Sequence, residues 1–279
     1  MKKIVLSVLA VLFSAIGFKA QADSPIGLRA MSFNIRTGGC EDGTNSWKYR
    51  APSVGVMLMD KKPDIFGLQE AEEYQVTYLK EGLEDYGCVG VGRDNGRHEG
   101  EHMEIFYNRK RLSLQKWGTF WLSETPDTPS KGWDAACFRT ATWAVMKDKK
   151  NGTRFIFVNT HIDHIGALAQ QNGISLIVEK VKELNKADLP VIIAGDFNLQ
   201  PDSPYLSPIR EFASDARETA VKTDDESSFN GWGRSSGKCD FIWYRGFDTC
   251  TKFETVTKPY LERNFVSDHF PVEATLFFK

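Results

Sequence analysis

The chain has 279 residues, 41% hydrophobic and 26% charged, with 35 Lys and Arg against 37 Asp and Glu. This composition excludes a disordered or fibrous chain, and the length suffices for one large core. A net charge of −2 argues against a long nucleic-acid track, which binds largely by neutralising phosphates.

Met1-Lys2-Lys3 leads at once into an apolar stretch from Ile4 to Phe18 and then Ala20-Gln21-Ala22. A positive start, short apolar middle and small-x-small end predict a secretory signal peptide over residues 1–22, cleaved before Asp23. The apolar run falls short of the roughly 20 residues a membrane-spanning helix needs. Losing Lys2, Lys3 and Lys19 takes the net charge from −2 to −5. The expectation is an exported, periplasmic or extracellular monomer, one domain over residues 23–279, with no transmembrane segment in the mature chain. Five cysteines (Cys40, Cys88, Cys137, Cys239, Cys250) leave at least one thiol unpaired, and no C-x-x-C pair marks a zinc or redox site.

Leu28 to Ile35 reads as a strand entering the loop Arg36-Thr37-Gly38-Gly39. Val54, Met57 and Leu58 predict a helix over Arg50 to Lys61; Ile65 to Leu68 is a short buried strand, and Gln75 to Leu83 a second helix. Ile105-Phe106-Tyr107 and Leu112 to Thr119 flank Asn108-Arg109-Lys110-Arg111, predicting a hairpin. Thr142 to Met146 and Phe155 to Thr160 flank Lys147 to Arg154, predicting another. Both basic clusters therefore read as solvated turns rather than a nucleic-acid patch. A helix from Ala167 to Leu184 and strands at Val191 to Ala194, Phe241 to Tyr244 and Val272 to Phe278 follow. Alternating βα units, a mixed β middle and a closing strand predict an α/β fold of two packed sheets with helices outside.

Polar residues stand at the ends of these strands: Asn34, Glu70, His161, Asp196 with Asn198, and Asp268-His269. Strand ends are where α/β proteins place ligands, although each residue taken singly is equally a turn former or helix cap. Together they form a chemical set. Asn34, Glu70 and Asp268 are hard oxygen donors of the kind that suits Mg²⁺. His161 and His269 can donate to phosphoryl oxygens or move protons near neutral pH. Phosphoester hydrolysis needs these parts: a clamped leaving oxygen, a water aimed in line, and neutralised equatorial charge.

Six segments, in order, resemble the endonuclease/exonuclease/phosphatase (DNase I-like) superfamily, bacterial exported branch. They are Phe33-Asn34-Ile35, Leu68-Gln69-Glu70, Gly100-Glu101, Asn159-Thr160-His161, Gly195-Asp196-Phe197-Asn198 and Ser267-Asp268-His269-Phe270-Pro271-Val272; Cys239-Asp240-Phe241-Ile242 resembles a seventh. The resemblance implies a four-layer α/β-sandwich with two packed mixed β-sheets flanked by helices. It implies that Asn34, Glu70 and Asp268 hold Mg²⁺ (Mn²⁺ as the substitute), and that Asp196 orients or deprotonates the water. By the same resemblance Asn198 holds water or phosphate, and His161 and His269 contact the phosphate, leaning on Glu101 and Asp240 respectively. Arg139 falls at a phosphate-binding position, with an edge-strand ion pair as its alternative. The abasic endonucleases carry an aspartate where this chain has Arg36, and a tyrosine where it has His161. These departures point to the phosphatase, phosphodiesterase and DNase I side.

Trp117, Trp121, Trp133 and Trp143 either line a sugar- or base-stacking pocket or pack the sheets, and Trp232 stands on a loop before Asp240. Of these, Trp133 and Trp232 are the candidate substrate contacts. Asp163 reads as a cap of the following helix, and His164 as a ligand of substrate or a second metal. The expected function is Mg²⁺-dependent hydrolysis of a small phosphate ester: a sugar phosphate, lipid headgroup or nucleotide. A secreted nuclease acting on nucleic acid is the second reading, and a non-catalytic binding protein the third.

Overall fold

The computed structural model describes residues 27–279; the expected signal peptide, residues 1–22, lies outside the described residues. In chain order the elements are β1 (Leu28–Asn34), α1 (Trp47–Lys61), β2 (Ile65–Gln69), α2 (Glu73–Gly82), β3 (Tyr86–Val89), β4 (Ile105–Asn108), β5 (Leu112–Trp121), β6 (Thr140–Asp148) and β7 (Arg154–His161). There follow α3 (Ala167–Leu184), β8 (Val191–Asp196), α4 (Ser207–Phe212), β9 (Ser214–Asp215), α5 (Ala216–Thr219), β10 (Asp240–Arg245), β11 (Phe247–Thr255) and β12 (Val272–Phe278). They build two six-stranded mixed sheets, ordered β11-β12-β1-β2-β4-β3 and β5-β6-β7-β8-β10-β9.

Side-chain parity generates the layers. In a strand, alternate residues face opposite sides, and here both sides are covered, so the central strands read as unbroken apolar runs. Leu28 and Ala30 of β1 meet Phe155 and Phe157 of β7 and Ile192 and Ala194 of β8 between the sheets. The other parity of β1, Met31 and Phe33, packs on Val54, Met57 and Leu58 of α1. Ile156, Val158, Val191 and Ile193 pack on Ile174, Ile177 and Val181 of α3. The result is a four-layer α/β-sandwich, the DNase I-like architecture.

The inter-sheet rows turn polar toward one edge. Continuing the inward parity past Ala30, Phe157, Ala194 and Ile242 leads to Ser32 and Asn34, Asn159 and His161, Asp196, and Asp240. Asn159 joins the sheets there: its amide nitrogen donates to the carbonyls of Leu68 at 2.7 Å and Glu104 at 3.0 Å, and its oxygen accepts from Gln69 at 2.6 Å. Gly67 makes this approach geometrically feasible, because a Cβ there would lie 2.4 Å from the Asn159 amide.

The hairpin expected across residues 108–111 does not form. β4 pairs with β2 and β3, whereas β5 pairs with β6 in the other sheet. The segment is a crossover between sheets, and its last residue is no solvated turn cation. Arg111 is buried, donating to Asp64 at 2.6 Å and to Asp148 at 3.0 Å. The hairpin expected between β6 and β7 is present. Helix α1 begins at Trp47 rather than Arg50, because Trp47 is itself buried against the core of this helix. Among the described residues all five cysteines are free thiols, and no helix is long and apolar enough to cross a membrane.

Candidate active site

β1 and β2 run parallel, as do β7 and β8, so their C-terminal ends share one edge of the sandwich. β12 is antiparallel to β1 and β10 to β8, which brings the N-terminal ends of those strands to the same edge. Register then makes neighbours of distant residues: His161 lies opposite Asp196, and Asp196 opposite Asp240. Glu70 follows β2 with a left-handed φ of 61°, and Asn198 turns the chain after β8 at φ 51°. Glutamate does not favour that region, so surrounding contacts must hold it there. Asn34 Nδ2 and Thr37 N, both donating to its carboxylate, do part of this, and a capping box of Glu72 and Gln75 starts α2 just beyond. Gln75 also accepts from Gly38 N and donates to the Arg36 carbonyl, tying the loop after β1 to the same helix end.

Of the predicted residues, Asn34, Glu70, His161, Asp196, Asn198, Asp240 and His269 form one connected chain of contacts. The Asn34 amide nitrogen donates to Glu70 Oε1 and to Asp196 Oδ2, each at 2.9 Å. Asp196 Oδ2 is 3.5 Å from His161 Nε2 and 3.7 Å from His269 Nε2, so two imidazoles address one carboxylate. His269 Nδ1 lies 2.9 Å from Asp240 Oδ2. Asn198 donates from its amide to His161 Nε2 at 2.9 Å and from its backbone N to Asp196 Oδ1 at 2.9 Å. Beyond Glu70, the Arg36 guanidinium stands 3.9 Å from Glu70 Oε2 and 3.6 Å from Asp268 Oδ2.

The two histidines are held in opposite protonation states. Burial lowers His161, and the charges of Arg139 and Arg93 push it further down, well below the ordinary histidine range. Accepting from Asn198 at Nε2 places its proton on Nδ1, a buried atom with no hydrogen-bond partner. Burial would also lower His269, but Asp240, Asp196 and Asp268 outweigh it and push it up to about 10. Asp196 is raised, first by burial and then by the charge of Asp240. The protonation of His161, His269 and Asp196 is therefore set by their neighbours, as at sites that move protons.

The profile of the Endonuclease/Exonuclease/phosphatase family matches residues 31–269, which takes in this whole constellation. The chain belongs to the endonuclease/exonuclease/phosphatase family. It is similar to the solved family member from Bacteroides vulgatus, at 36% identity over 90% of this chain and 99% of that one, with a TM-score of 0.85. It is equally similar to the mannosyl-6-phosphatase of Bacteroides thetaiotaomicron VPI-5482, at 35% identity, 90% and 100% coverage and a TM-score of 0.86. Nocturnin of Drosophila melanogaster is 24% identical over 185 residues, 61% of this chain but only 27% of that protein.

Members of the endonuclease/exonuclease/phosphatase family are hydrolases of phosphoesters and generally depend on a divalent metal. The residues here suit one: Glu70 and Asp268, two hard oxygen donors, both lie within 4 Å of one cationic group, the Arg36 guanidinium. Asn34 donates from its amide nitrogen to Glu70, while its oxygen accepts from Arg36 N. Two other groups bring three ligand-type atoms within 4.8 Å, Asp196–Cys239–His269 and Cys137–Asp163–His164, but each includes a thiol, a softer donor than Mg²⁺ prefers.

Several partnerships differ from those expected of the family. Glu101 does not support His161: its carboxylate is taken by Arg93 at 2.6 Å, leaving His161 Nδ1 without a partner. Arg139 is buried just before β6, held by Asp163 at 3.3 Å and His164 Nδ1 at 2.9 Å. Asp163 also caps the turn before α3, accepting from Ile165 N and Gly166 N, while Asp134 accepts from Leu168 N and Ala169 N. Trp133 and Trp232 are half-buried on loops with left-handed φ. Trp133 is fixed through its backbone N to Glu124, and the Trp232 ring lies 5.8 Å from Arg50. Trp121 and Trp143 are buried, as sheet-packing residues are.

Sequence reasoning missed Arg50 as a site support. It is fully buried and donates to the carbonyls of Asn45, Ile35, Arg36 and Val266, bracing the loops that carry Asn34 and Asp268. Its place in the first turn of α1, amid apolar residues, was the available signal.

Proposed function

We propose that the chain is an exported, Mg²⁺-dependent phosphatase acting on a small polar phosphate ester of the sugar-phosphate kind. The observation that carries this reading is Asp196, one buried carboxylate addressed by a neutral and a cationic imidazole. In this reading Asp196 accepts a proton from the attacking water. The His269 imidazolium, held by Asp240, donates from Nε2 to a phosphoryl oxygen and stabilises the charge that develops there. Glu70 and Asp268 would hold the metal, which supplies charge to the phosphoryl group when bound. Arg139 adds positive charge beside His161. The likeness to a mannosyl-6-phosphatase along its full length supports the substrate class, and the N-terminal leader pattern supports export.

Metal-stripped protein assayed on hexose 6-phosphates, aryl diesters, plasmid and RNA, with and without Mg²⁺, tests this. Phosphate release from the sugar phosphates that appears only with Mg²⁺ is expected. Turnover in EDTA, or nucleic-acid cleavage without sugar-phosphate turnover, overturns it. N-terminal sequencing of the secreted material is expected to begin at Asp23.

A further inference from the structure

We infer that Arg36, steered by Asp42, is a built-in competitor for the metal position and thereby sets how tightly the Glu70–Asp268 pair holds a divalent ion. This rests on the reading of that pair as the metal site. The Arg36 backbone is fixed: at φ 61° its N–H donates to Asn34 Oδ1, and its carbonyl accepts from Arg50 and Gln75. Its launch point over the site edge is thus determined by the loop, and only the side chain has freedom.

Three carboxylates surround the guanidinium, at unequal range. Asp42 accepts hydrogen bonds from Nε at 3.1 Å and from a terminal nitrogen at 3.3 Å. Asp268 and Glu70, at 3.6 and 3.9 Å, are ion-pair distances without a hydrogen bond to Arg36. Asp42 therefore draws the cation toward the rim, yet not out of the field of the other two acids. A divalent ion on Glu70 and Asp268 would meet a like charge a few ångströms away, for which both ions contend through the same oxygens. Largely buried, with the Arg36 side chain 28% exposed, the contest is only partly screened by salt.

Mn²⁺ titration of the purified protein by calorimetry, with the Mn²⁺ EPR signal as a second readout, tests the inference without any turnover. Arg36→Met is expected to tighten Mn²⁺ binding at least tenfold, the effect of a unit charge about 6 Å from a divalent ion under full aqueous screening. Arg36→Lys, which keeps the charge, is expected to stay close to the parent. Asp42→Asn is expected to weaken binding, and to do so much less in the Arg36→Met background, because Asp42 acts through Arg36. Unchanged or weaker binding in Arg36→Met overturns the inference, since a merely structural arginine would loosen the site when removed. Glu70→Gln separates the two levels: if it leaves Mn²⁺ binding intact, the location of the metal is wrong and this inference falls with it. If it abolishes binding while Arg36→Met has no effect, only the inference falls.

Discussion

The two edges of the sandwich use the same ingredients, buried acids and bases, to opposite ends. At the edge away from the site, Arg111 sits between Asp64 and Asp148 and also donates to the Gly27 carbonyl. Asp64 further accepts from Arg29 N, and Asp148 from Lys150 N. At the catalytic edge Asp196 faces Asp240, Asp240 Oδ1 has no partner, and neither does His161 Nδ1. Asp196 and Asp240 are two acids facing each other, where Arg111 on the other edge stands between two acids. One edge pairs each acid with a base; the other sets two acids side by side with the His269 imidazole in reach of both.

The largest expected effect breaks the catalytic edge. Asp196→Asn keeps the shape but removes the proton acceptor, and kcat should fall about 10³-fold or more. Thermal unfolding should show a Tm no lower than the parent, because the substitution removes a buried carboxylate from beside Asp240. A fall in kcat of less than tenfold would assign the proton transfer elsewhere. A large drop in Tm would mean the edges do not differ as described.

Breaking the paired edge should do the reverse. Arg111→Met strands Asp64 and Asp148 as buried acids, a loss of about 3–5 kcal/mol, equivalent to roughly 10 °C in Tm. At 25 °C, where the variant remains folded, kcat/KM should stay within about twofold of the parent, since the change touches no site residue. Impaired kinetics in fully folded protein would show the edges to be coupled.

How much of this was legible in the sequence follows from what each feature depends on. Helix α3 and strand β12 fall where periodicity and parity place them, because local pattern determines both. Strand β11 escaped that reading. Its buried apolar residues, Phe247, Cys250 and Phe253, recur every third position because two register shifts break the alternation. The crossover at Arg111 escaped too: two apolar runs around a basic cluster look alike whether they pair or part. The deciding acids stand 37 and 47 residues away. In the site, the strand-end residues were legible because a sheet edge collects them by topology alone. The choice of Glu101 for Arg93 over His161, and the bracing by Arg50, depend on side-chain packing across loops, which spacing does not encode.

The smallest expected effect sharpens the contrast through pH. Burial and Asp240 raise Asp196 to about 6, whereas an unfolded aspartate titrates near 4. The residue must be ionised to accept a proton, so kcat/KM should fall as pH drops through about 6. Between about pH 6 and 4 the folded chain binds this proton more readily than the unfolded one, so the Asp196 contribution favours folding as pH falls and is lost as pH rises through 6. Activity and this part of stability therefore move in opposite directions over the same interval. Asp240→Asn removes the neighbouring negative charge, and the acid limb of the surviving activity should move to lower pH. A limb that stays in place would mean burial alone raises Asp196, and that the pairing of acids across β8 and β10 has no part in its titration.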